Sequence, residues 1–263
     1  LYIDMVVPTL IKIIFDCPTD LRIEGIKALS RLCSDPKSFL MTKIISDLHT
    51  KGALSYIVKH LLTSRDDLLC LALVDFLNNL VQNEEGLRIL FKLGIIKHIL
   101  DLLAWQPKQQ PIYKKEQPNP QPFRTLNLLS SSVSILVYIT GMHEFCKSFF
   151  NPQKRKRDAE FVLDILFSLI HKSNISLVTG IKSSDKSVVA SLTQHVLNVL
   201  NNLCKDYGKN KAFIGERVLP ILVDILQTSV SRAVLDIALK LTRSLSLDPK
   251  TSEYLRGDRK SVV

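Results

Sequence analysis

The feature that most constrains the fold of this chain is a pair of apolar helix patterns that recurs five times along its 263 residues. The first pattern is short and apolar at helical spacing; its copies are residues 7–14, 54–61, 96–103, 162–169 and 219–226. The second is longer and closes on a polar break; its copies are residues 28–33, 76–81, 136–140, 199–204 and 241–246, of which the third is the weakest. Because a helix pair that stacks on its own copies builds a repeat protein, we expect an extended surface as its product.

The spacing of the two patterns supports true repetition. From Val7 to Arg31 is 24 residues, and the same step is 25 residues from Leu54 to Asn79 and from Leu219 to Ser244. Two polar inserts lengthen the middle units, and we predict both as surface loops, at residues 105–123 and 172–187. Without these inserts the period is about 40–47 residues, as in known repeats of two or three helices.

Three local motifs resemble the armadillo repeat. That family's middle helix often begins with an apolar residue and proline, as at Val7-Pro8 and Leu219-Pro220, and proline suits the first turn of a helix. A glycine turn often precedes it, as at Gly52 and Gly94, and its last helix often ends Leu-x-Asn-Leu. The last motif is matched at residues 77–80 and 200–203. The resemblance extends from residue 1 to about residue 249.

We therefore predict an all-α fold, a right-handed α-solenoid of about five armadillo-type repeats in one domain over residues 1–263. Apolar residues recur at helical spacing throughout, and Leu68, Leu71, Ala72 and Phe76, for example, share one stripe. The predicted units are residues 1–35, 36–82, 83–141, 142–206 and 207–249, with the start of a sixth at 250–263. Since the first unit lacks an obvious first helix and the last is cut short, we expect a fragment of a longer chain.

Composition narrows the setting. The five cysteines are odd in number and form no CxxC pair, which favours buried thiols in a reducing compartment. No apolar run reaches the 18 or so residues of a membrane span. We expect an intracellular protein, cytoplasmic or nuclear.

Catalytic chemistry has little support in the sequence. There is no nucleophile elbow, phosphate-binding loop, zinc-protease motif or glycine-rich dinucleotide turn. The carboxylate pairs Asp66-Asp67 and Glu84-Glu85 lie where helices should start, and there they oppose the helix dipole favourably. His143 and Cys146 have a suggestive ligand spacing, but zinc normally needs four ligands. We expect a protein that is not an enzyme and has no metal or cofactor.

The armadillo resemblance implies where a partner binds. In that family the third helices stack into a concave ladder, and an Asn near the helix end hydrogen-bonds the backbone of an extended partner, using two donors and one acceptor. The matching residues here are Arg31, Asn79, Tyr138, Asn202 and Ser244. One turn earlier on the same face are Lys27, Asp75, Ser134, Asn198 and Lys240. We call these ten residues the ladder positions.

The ladder positions leave two interpretations open. Asn79 and Asn202 could bind a partner, with Tyr138 between them as an aromatic anchor, or they could satisfy neighbouring backbone near a helix end. Importin-α-like chains repeat Trp one turn earlier, whereas Trp105 is the one Trp here and lies outside the ladder. A mixed, slightly basic groove would instead suit an extended or helical protein segment with some acidic residues.

The net charge of +10 provides an alternative function. Much of the excess lies in two short segments, residues 106–124 and 151–158, each with a net charge of +3. The second contains Lys154, Arg155, Lys156 and Arg157, a minimal cluster of the nuclear-localisation type. These segments could bind nucleic acid or an anionic surface, but Lys and Arg do not recur at one register of successive repeats as a nucleic-acid groove would require. Binding of another protein is therefore the leading hypothesis.

Overall fold

The computed structural model describes residues 2–64, 66–104, 122–142, 144, 146, 150–178, 183–205, 208–229 and 231–255. Within these ranges the regular structure is entirely helical, which confirms the predicted all-α class. The helices, in chain order, are α1 (Tyr2–Asp16), α2 (Thr19–Leu32), α3 (Phe39–Thr50), α4 (Ala53–Tyr56, continued by a π-helical turn Ile57–Leu61), α5 (Asp67–Leu80), α6 (Glu84–Lys92), α7 (Ile95–Ala104), α8 (Pro122–Gly141), α9 (Lys156–Val178), α10 (Ser183–Lys205), α11 (Gly208–Thr228), α12 (Arg232–Ser246) and α13 (Pro249–Leu255).

The chain divides into two compact units, Leu1–Ile139 and Thr140–Val263. In unit 1, α2 packs against both α1 and α5, α3 contacts α4 and α6, and α7 contacts α6 and the π-helical turn. In unit 2, α10 packs against α9, α11 and α12, and α13 contacts α11 and α12. The predicted single domain over residues 1–263, with its five repeat boundaries, stays a prediction.

Side-chain caps set several helix starts in unit 1. The Asp66 carboxylate accepts hydrogen bonds from the N–H groups of Leu68 and Leu69 at 2.9 and 3.0 Å. The side-chain oxygen Oδ1 of Asn83 accepts hydrogen bonds from the N–H groups of Glu85 and Gly86 at 3.0 and 3.2 Å. Such caps satisfy N–H groups that have no partner within the helix. The two carboxylate pairs therefore lie at helix starts, as predicted from the sequence.

Two glycines make the corners between short helices in unit 1. Gly52 separates α3 from α4 with φ 72°, and Gly94 separates α6 from α7 with φ 78°. A side chain would strain both positions, because L-residues rarely adopt positive φ. Both glycine turns lie where the armadillo-like motif predicts them.

The predicted proline-initiated helices are wrong. Pro8 lies inside α1, and Pro220 lies inside α11. Proline removes one intrahelical hydrogen bond, but buried residues on both sides keep each helix continuous. In α11 these are Ile214, Val218, Leu219, Leu222 and Ile225. In the turn around Pro8, the Thr9 hydroxyl also donates to the Met5 carbonyl at 2.8 Å.

The predicted insert loops also need correction. Residues 172–178 belong to α9 and residues 183–187 to α10, so the predicted loop at 172–187 is helical over most of its length. The segment contains Ser and Lys, which an exposed helix tolerates, and polar composition alone therefore did not identify a loop. Of the other insert, residues 122–123 begin α8, and residues 105–121 lie outside the described residues.

Candidate partner-binding groove

The helices that carry the ladder positions pack against one another within each unit. In unit 1, α2 lies along α5, and in unit 2, α10 lies along α12. The ladder residues on these helices and on α8 keep solvent exposure. Lys27, Arg31, Asp75, Tyr138 and Lys240 are exposed, and Asn79, Ser134, Asn198, Asn202 and Ser244 are half-buried.

A groove between α2 and α5 brings four predicted site residues together. Lys27 and Arg31 line it from α2, Asp75 and Asn79 line it from α5, and the space it encloses is about 570 Å³. We call it the α2–α5 groove. This juxtaposition follows from helical periodicity, because positions four residues apart share one face of a helix.

The apolar lining of the α2–α5 groove was not among the predicted site residues. Ile23, Leu71 and Ala72 line it, and Leu68 extends the apolar surface with 45% of its side chain exposed. Leu68 thus lies on a stripe with the buried Phe76 but is itself at the surface. The sequence contained one indication of this apolar surface. The stripe formed by Leu68, Leu71, Ala72 and Phe76 extends beyond the part of α5 that a neighbouring helix covers.

Asn79 uses its amide donors inside the protein. Its Nδ2 donates to the main-chain carbonyl of Ser30 and to the Ser30 hydroxyl, both at 2.9 Å. Since a carbonyl can only accept, this contact fixes which way the amide points. The Asn79 Oδ1 atom has no donor among the described residues, and it remains the acceptor that this side chain offers to the groove.

Asn202 makes a different contact in unit 2. Its Nδ2 donates to the Thr140 hydroxyl at 3.2 Å, a group that can also donate. The interpretation that the ladder asparagines satisfy backbone groups agrees with the contact between Asn79 and the Ser30 carbonyl, whereas this contact of Asn202 is with a side-chain hydroxyl. These internal contacts leave part of each asparagine side chain at the surface, because both residues are half-buried.

The two walls of the α2–α5 groove differ in charge. On α2, Lys27 Nζ lies 2.7 Å from Glu24 Oε1, and this contact lowers the pKa of Glu24. On α5, partial burial raises the pKa of Asp75 although its surface stays exposed, and the influence of the Ser131 side chain acts in the opposite direction. The α2 wall is thus rich in donors and the α5 wall in acceptors.

Ser131 connects the α2–α5 groove to the ladder positions on α8. Ser134 and Tyr138 follow Ser131 at helical spacings of three and seven residues, so the three share one face of α8. Tyr138 has 40% of its side chain exposed. The main-chain carbonyl of Ser131 also accepts from Asn78 Nδ2 at 2.8 Å, which ties α8 to α5 beside this face.

The basic cluster at residues 154–157 lies on a turn that leads into α9. The Asn151 carbonyl accepts from Arg155 N–H at 2.9 Å, and α9 begins at Lys156. All four side chains are exposed. Its last two residues are therefore helical. The other basic segment, residues 106–124, lies outside the described residues up to residue 121.

A second cavity of about 300 Å³ lies where the π-helical turn, α5, α7 and α8 meet. Its polar lining includes Asp67, Cys70, His98 and Asp101, and His98 Nδ1 is buried with no hydrogen-bond partner among the described residues. Burial raises the pKa of Cys70 to about 11, so its thiol is protonated at neutral pH. Across the described ranges, no three His, Cys, Asp or Glu residues are placed to hold a metal ion.

None of the helices in the described part of the chain combines the length and apolar character that crossing a membrane requires. No protein-family model matches the sequence. No curated protein matches it either.

Solved structures, however, resemble the fold over nearly the whole chain. A computationally designed armadillo repeat protein for modular peptide recognition matches with a TM-score of 0.63 at 15% identity, covering 95% of this chain and 87% of the other. An engineered protein matches with a TM-score of 0.63 at 17% identity, covering 98% and 90%. A designed armadillo repeat protein in complex with the peptide (KR)4 matches with a TM-score of 0.60 at 14% identity, covering 97% and 93%.

At these identities the similarity shows the fold, and the prediction from the sequence motifs is confirmed at that level. The short helices of unit 1, its glycine corners and the packing of α2 along α5 agree with it. The chain has an armadillo-like helical-repeat fold.

Proposed function

We propose that this chain is a non-catalytic protein-binding module that holds a segment of a partner protein against its third-helix ladder, with the α2–α5 groove as the contact site in unit 1. The observation that supports this most is the convergence of four ladder residues on one groove with an apolar lining. Of the proteins with a similar fold, one was designed for modular peptide recognition and another is in complex with the peptide (KR)4, which agrees with this class of function.

The chemistry of the groove suits a protein segment. Its apolar residues can bury a partner side chain, and burial of a side chain the size of Leu contributes about 1.5–3 kcal/mol. Its polar walls can then determine which segments are accepted, because charged groups at an interface contribute more to specificity than to affinity. In this proposal Tyr138 is an additional anchor on α8, since a tyrosine ring buries a large area and keeps a polar tip. In unit 2 the equivalent positions are Asn198, Asn202, Lys240 and Ser244.

The proposal also places the protein inside the cell, in the cytoplasm or nucleus. All five cysteines are free thiols, and four of them are buried. Burial raises the pKa of Cys33 and of Cys204 to about 12, so these thiols behave as small apolar side chains. Such a set fits a reducing compartment.

The function can be tested by selecting peptides from a display library with the full chain, and then measuring their affinity for two charge-reversal variants. The groove variant is Lys27→Glu with Arg31→Glu. The matched control is Lys59→Glu with Lys97→Glu. It makes the same charge change at exposed positions outside the α2–α5 groove, in the π-helical turn after α4 and in α7. We expect the groove variant to lose at least about tenfold in affinity, or about 1.4 kcal/mol, and the control to bind as wild type.

Two outcomes would contradict the proposal. The first is loss of binding in the control variant while the groove variant binds normally, since the surface that carries Lys59 and Lys97 would then contact the partner. The second is a display that yields no peptide, combined with binding of single-stranded nucleic acid that weakens log-linearly with salt. That result would support the alternative that the exposed cluster Lys154, Arg155, Lys156 and Arg157 contacts phosphates.

A further inference from the structure

The internal hydrogen bonds of Asn79 restrict what the α2–α5 groove can recognise. An asparagine whose amide is free can donate to a partner carbonyl and accept from a partner N–H. Here both contacts of Nδ2 go to Ser30, at 2.9 Å each. Asn79 therefore offers an acceptor and no donor, and the contact it can make with a partner requires a donor on the partner's side.

Asp75 strengthens the acceptor character of the α5 wall. It lies one helical turn before Asn79 on the same face, and both residues line the groove. An ionised carboxylate is purely an acceptor and has several lone pairs to offer to a partner. A cationic side chain or a main-chain N–H is the complement of this wall.

The α2 wall has the opposite preference. Lys27 and Arg31 are both exposed, and both line the groove. Lys27 pairs with Glu24, whereas Arg31 has no carboxylate within 4.0 Å among the described residues. An arginine fork binds a carboxylate with two parallel hydrogen bonds, so a partner carboxylate is the natural occupant of this position.

The dimensions allow one short segment to satisfy both walls. Packed helices lie about 8–10 Å apart, and an extended chain advances about 3.3 Å per residue. Side chains alternate between the two faces of an extended chain, so charged residues two positions apart can both face the groove and reach from α2 to α5. Their aliphatic stems would then lie against Ile23, Leu71 and Ala72.

We propose that the α2–α5 groove selects an extended protein segment of mixed charge, in which an acidic residue faces Arg31 and a basic residue two positions away along the segment faces Asp75 and Asn79. This rests on the proposed function and specifies the partner's chemistry. It distinguishes this groove from one for uniformly basic peptides, because Lys27 and Arg31 would repel them. It also disfavours phosphate backbones, since Asp75 and Glu24 would repel those.

The experiment measures binding of the full chain to three labelled synthetic peptides by fluorescence anisotropy at low salt. The first has a Glu-Leu-Lys core, the second a Glu-Leu-Glu core, and the third is the alternating Lys-Arg peptide (KR)4. We expect the first to bind about 2- to 5-fold more tightly than either other peptide, which is the scale of exposed charge pairs. Asp75→Asn should remove most of the discrimination against Glu-Leu-Glu, and Arg31→Gln most of that against (KR)4.

Asp75→Asn is a suitable probe because asparagine keeps an acceptor oxygen at this position, so the groove is expected to remain folded. The inference is overturned if the three peptides bind equally, if (KR)4 binds best, or if none binds. If they bind equally and the Lys27→Glu, Arg31→Glu variant abolishes binding, the partner-binding function stands and the mixed-charge preference falls. If Lys59→Glu with Lys97→Glu abolishes binding instead, both fall.

Discussion

The Leu-Asn-Asn-Leu segment occurs once in each unit, and the two copies hold their asparagines differently. In unit 1 the Asn79 amide donates to a main-chain carbonyl and a hydroxyl of Ser30. In unit 2 the Asn202 amide donates to the hydroxyl of Thr140 at 3.2 Å. A carbonyl can only accept, so the contact with Ser30 fixes the orientation of the Asn79 amide. The same motif thus places its amide against a main-chain carbonyl in one unit and against a hydroxyl oxygen in the other.

The residue one turn earlier differs as well. It is Asp75 in unit 1 and Asn198 in unit 2, so the same register has a charge in one copy and a neutral amide in the other. Partial burial raises the pKa of Asp75, because desolvation disfavours the charged form of a carboxyl group. A repeat can therefore keep its backbone plan while the recognition chemistry at one position changes from unit to unit.

The largest effect should be the same in both units. Leu77 and Leu200 precede the two Asn pairs, and both are completely buried. Changing either to Ala should lower the free energy of unfolding by about 2–5 kcal/mol through the cavity it leaves, measured by chemical denaturation. Leu68→Ala is the control on α5 and should cost far less, because nearly half of that side chain is exposed. A loss of stability below about 1 kcal/mol at Leu77 or Leu200 would contradict the prediction that each leucine is a core residue of its own unit.

Substitutions of the two asparagines should lower stability by different amounts in the two units. Asn79→Ala should cost about 1–2 kcal/mol, because it leaves the Ser30 carbonyl without its side-chain donor, and Asn202→Ala about 0.5–1 kcal/mol. Asn79→Asp should be at least as destabilising as Asn79→Ala, since a carboxylate would face a carbonyl oxygen. Asn202→Asp should cost less than Asn79→Asp, because the contact of the Asn202 amide is with a hydroxyl oxygen and not with a main-chain carbonyl. Equal responses of the two units to Asp would show that the amides are held alike.

Their hydroxyl partners should give a smaller contrast. Ser30→Ala leaves the main-chain carbonyl bond to Asn79 in place and should cost a few tenths of a kcal/mol. Thr140→Val removes the hydroxyl that receives the Asn202 amide at a buried position, and it should cost about 0.5–1.5 kcal/mol. Thermal unfolding of both variants beside Thr140→Ser, which keeps the hydroxyl, would measure the difference. A greater loss for Ser30→Ala would mean that the hydroxyl, not the carbonyl, holds Asn79.

The smallest effect concerns charge at the earlier ladder position. The pKa of Asp75 is raised in the folded state, so its contribution to stability is complete below the unfolded pKa of about 3.9 and is lost as the pH rises through the folded pKa. Asp75→Asn makes unit 1 match unit 2 at this position and removes the titration. Its melting temperature should be slightly above wild type at neutral pH, with the difference shrinking as the pH falls below about 4. A gain that is equally large at both pH values would exclude desolvation of the carboxylate as its cause.

The helix corners show where sequence reasoning succeeded and where it failed. Gly52 and Gly94 were predicted as turns, and both adopt positive φ. In unit 2, Gly215 occupies a comparable place before Leu219-Pro220 but lies within the continuous helix α11. A Cβ at Gly215 would lie 2.8 Å from the Thr251 side chain, so this glycine serves close packing against α13. A glycine in the sequence therefore indicated either a turn or a close contact, and only the neighbouring helix decided between them.

The candidate site was predictable to a similar extent. Register placed Lys27, Arg31, Asp75 and Asn79 on facing helices, because side chains four residues apart project from one face. Ser30 was not anticipated, although it precedes Arg31, since its role depends on how closely α2 approaches α5. The partly exposed Leu68 was likewise not anticipated, because periodicity identifies an apolar stripe without showing how wide a neighbouring helix covers it.

The sequence by itself determined the helical class, the repeat and the ladder register, because these depend on local periodicity and on residues a fixed number of positions apart. Tertiary structure alone decided which amide group is already bonded, which glycine bends the chain, and where α11 continues through Pro220. Each of these depends on which atoms of distant residues come within hydrogen-bond or van der Waals distance. Such contacts follow from the packing of whole helices, which no single segment of the chain specifies.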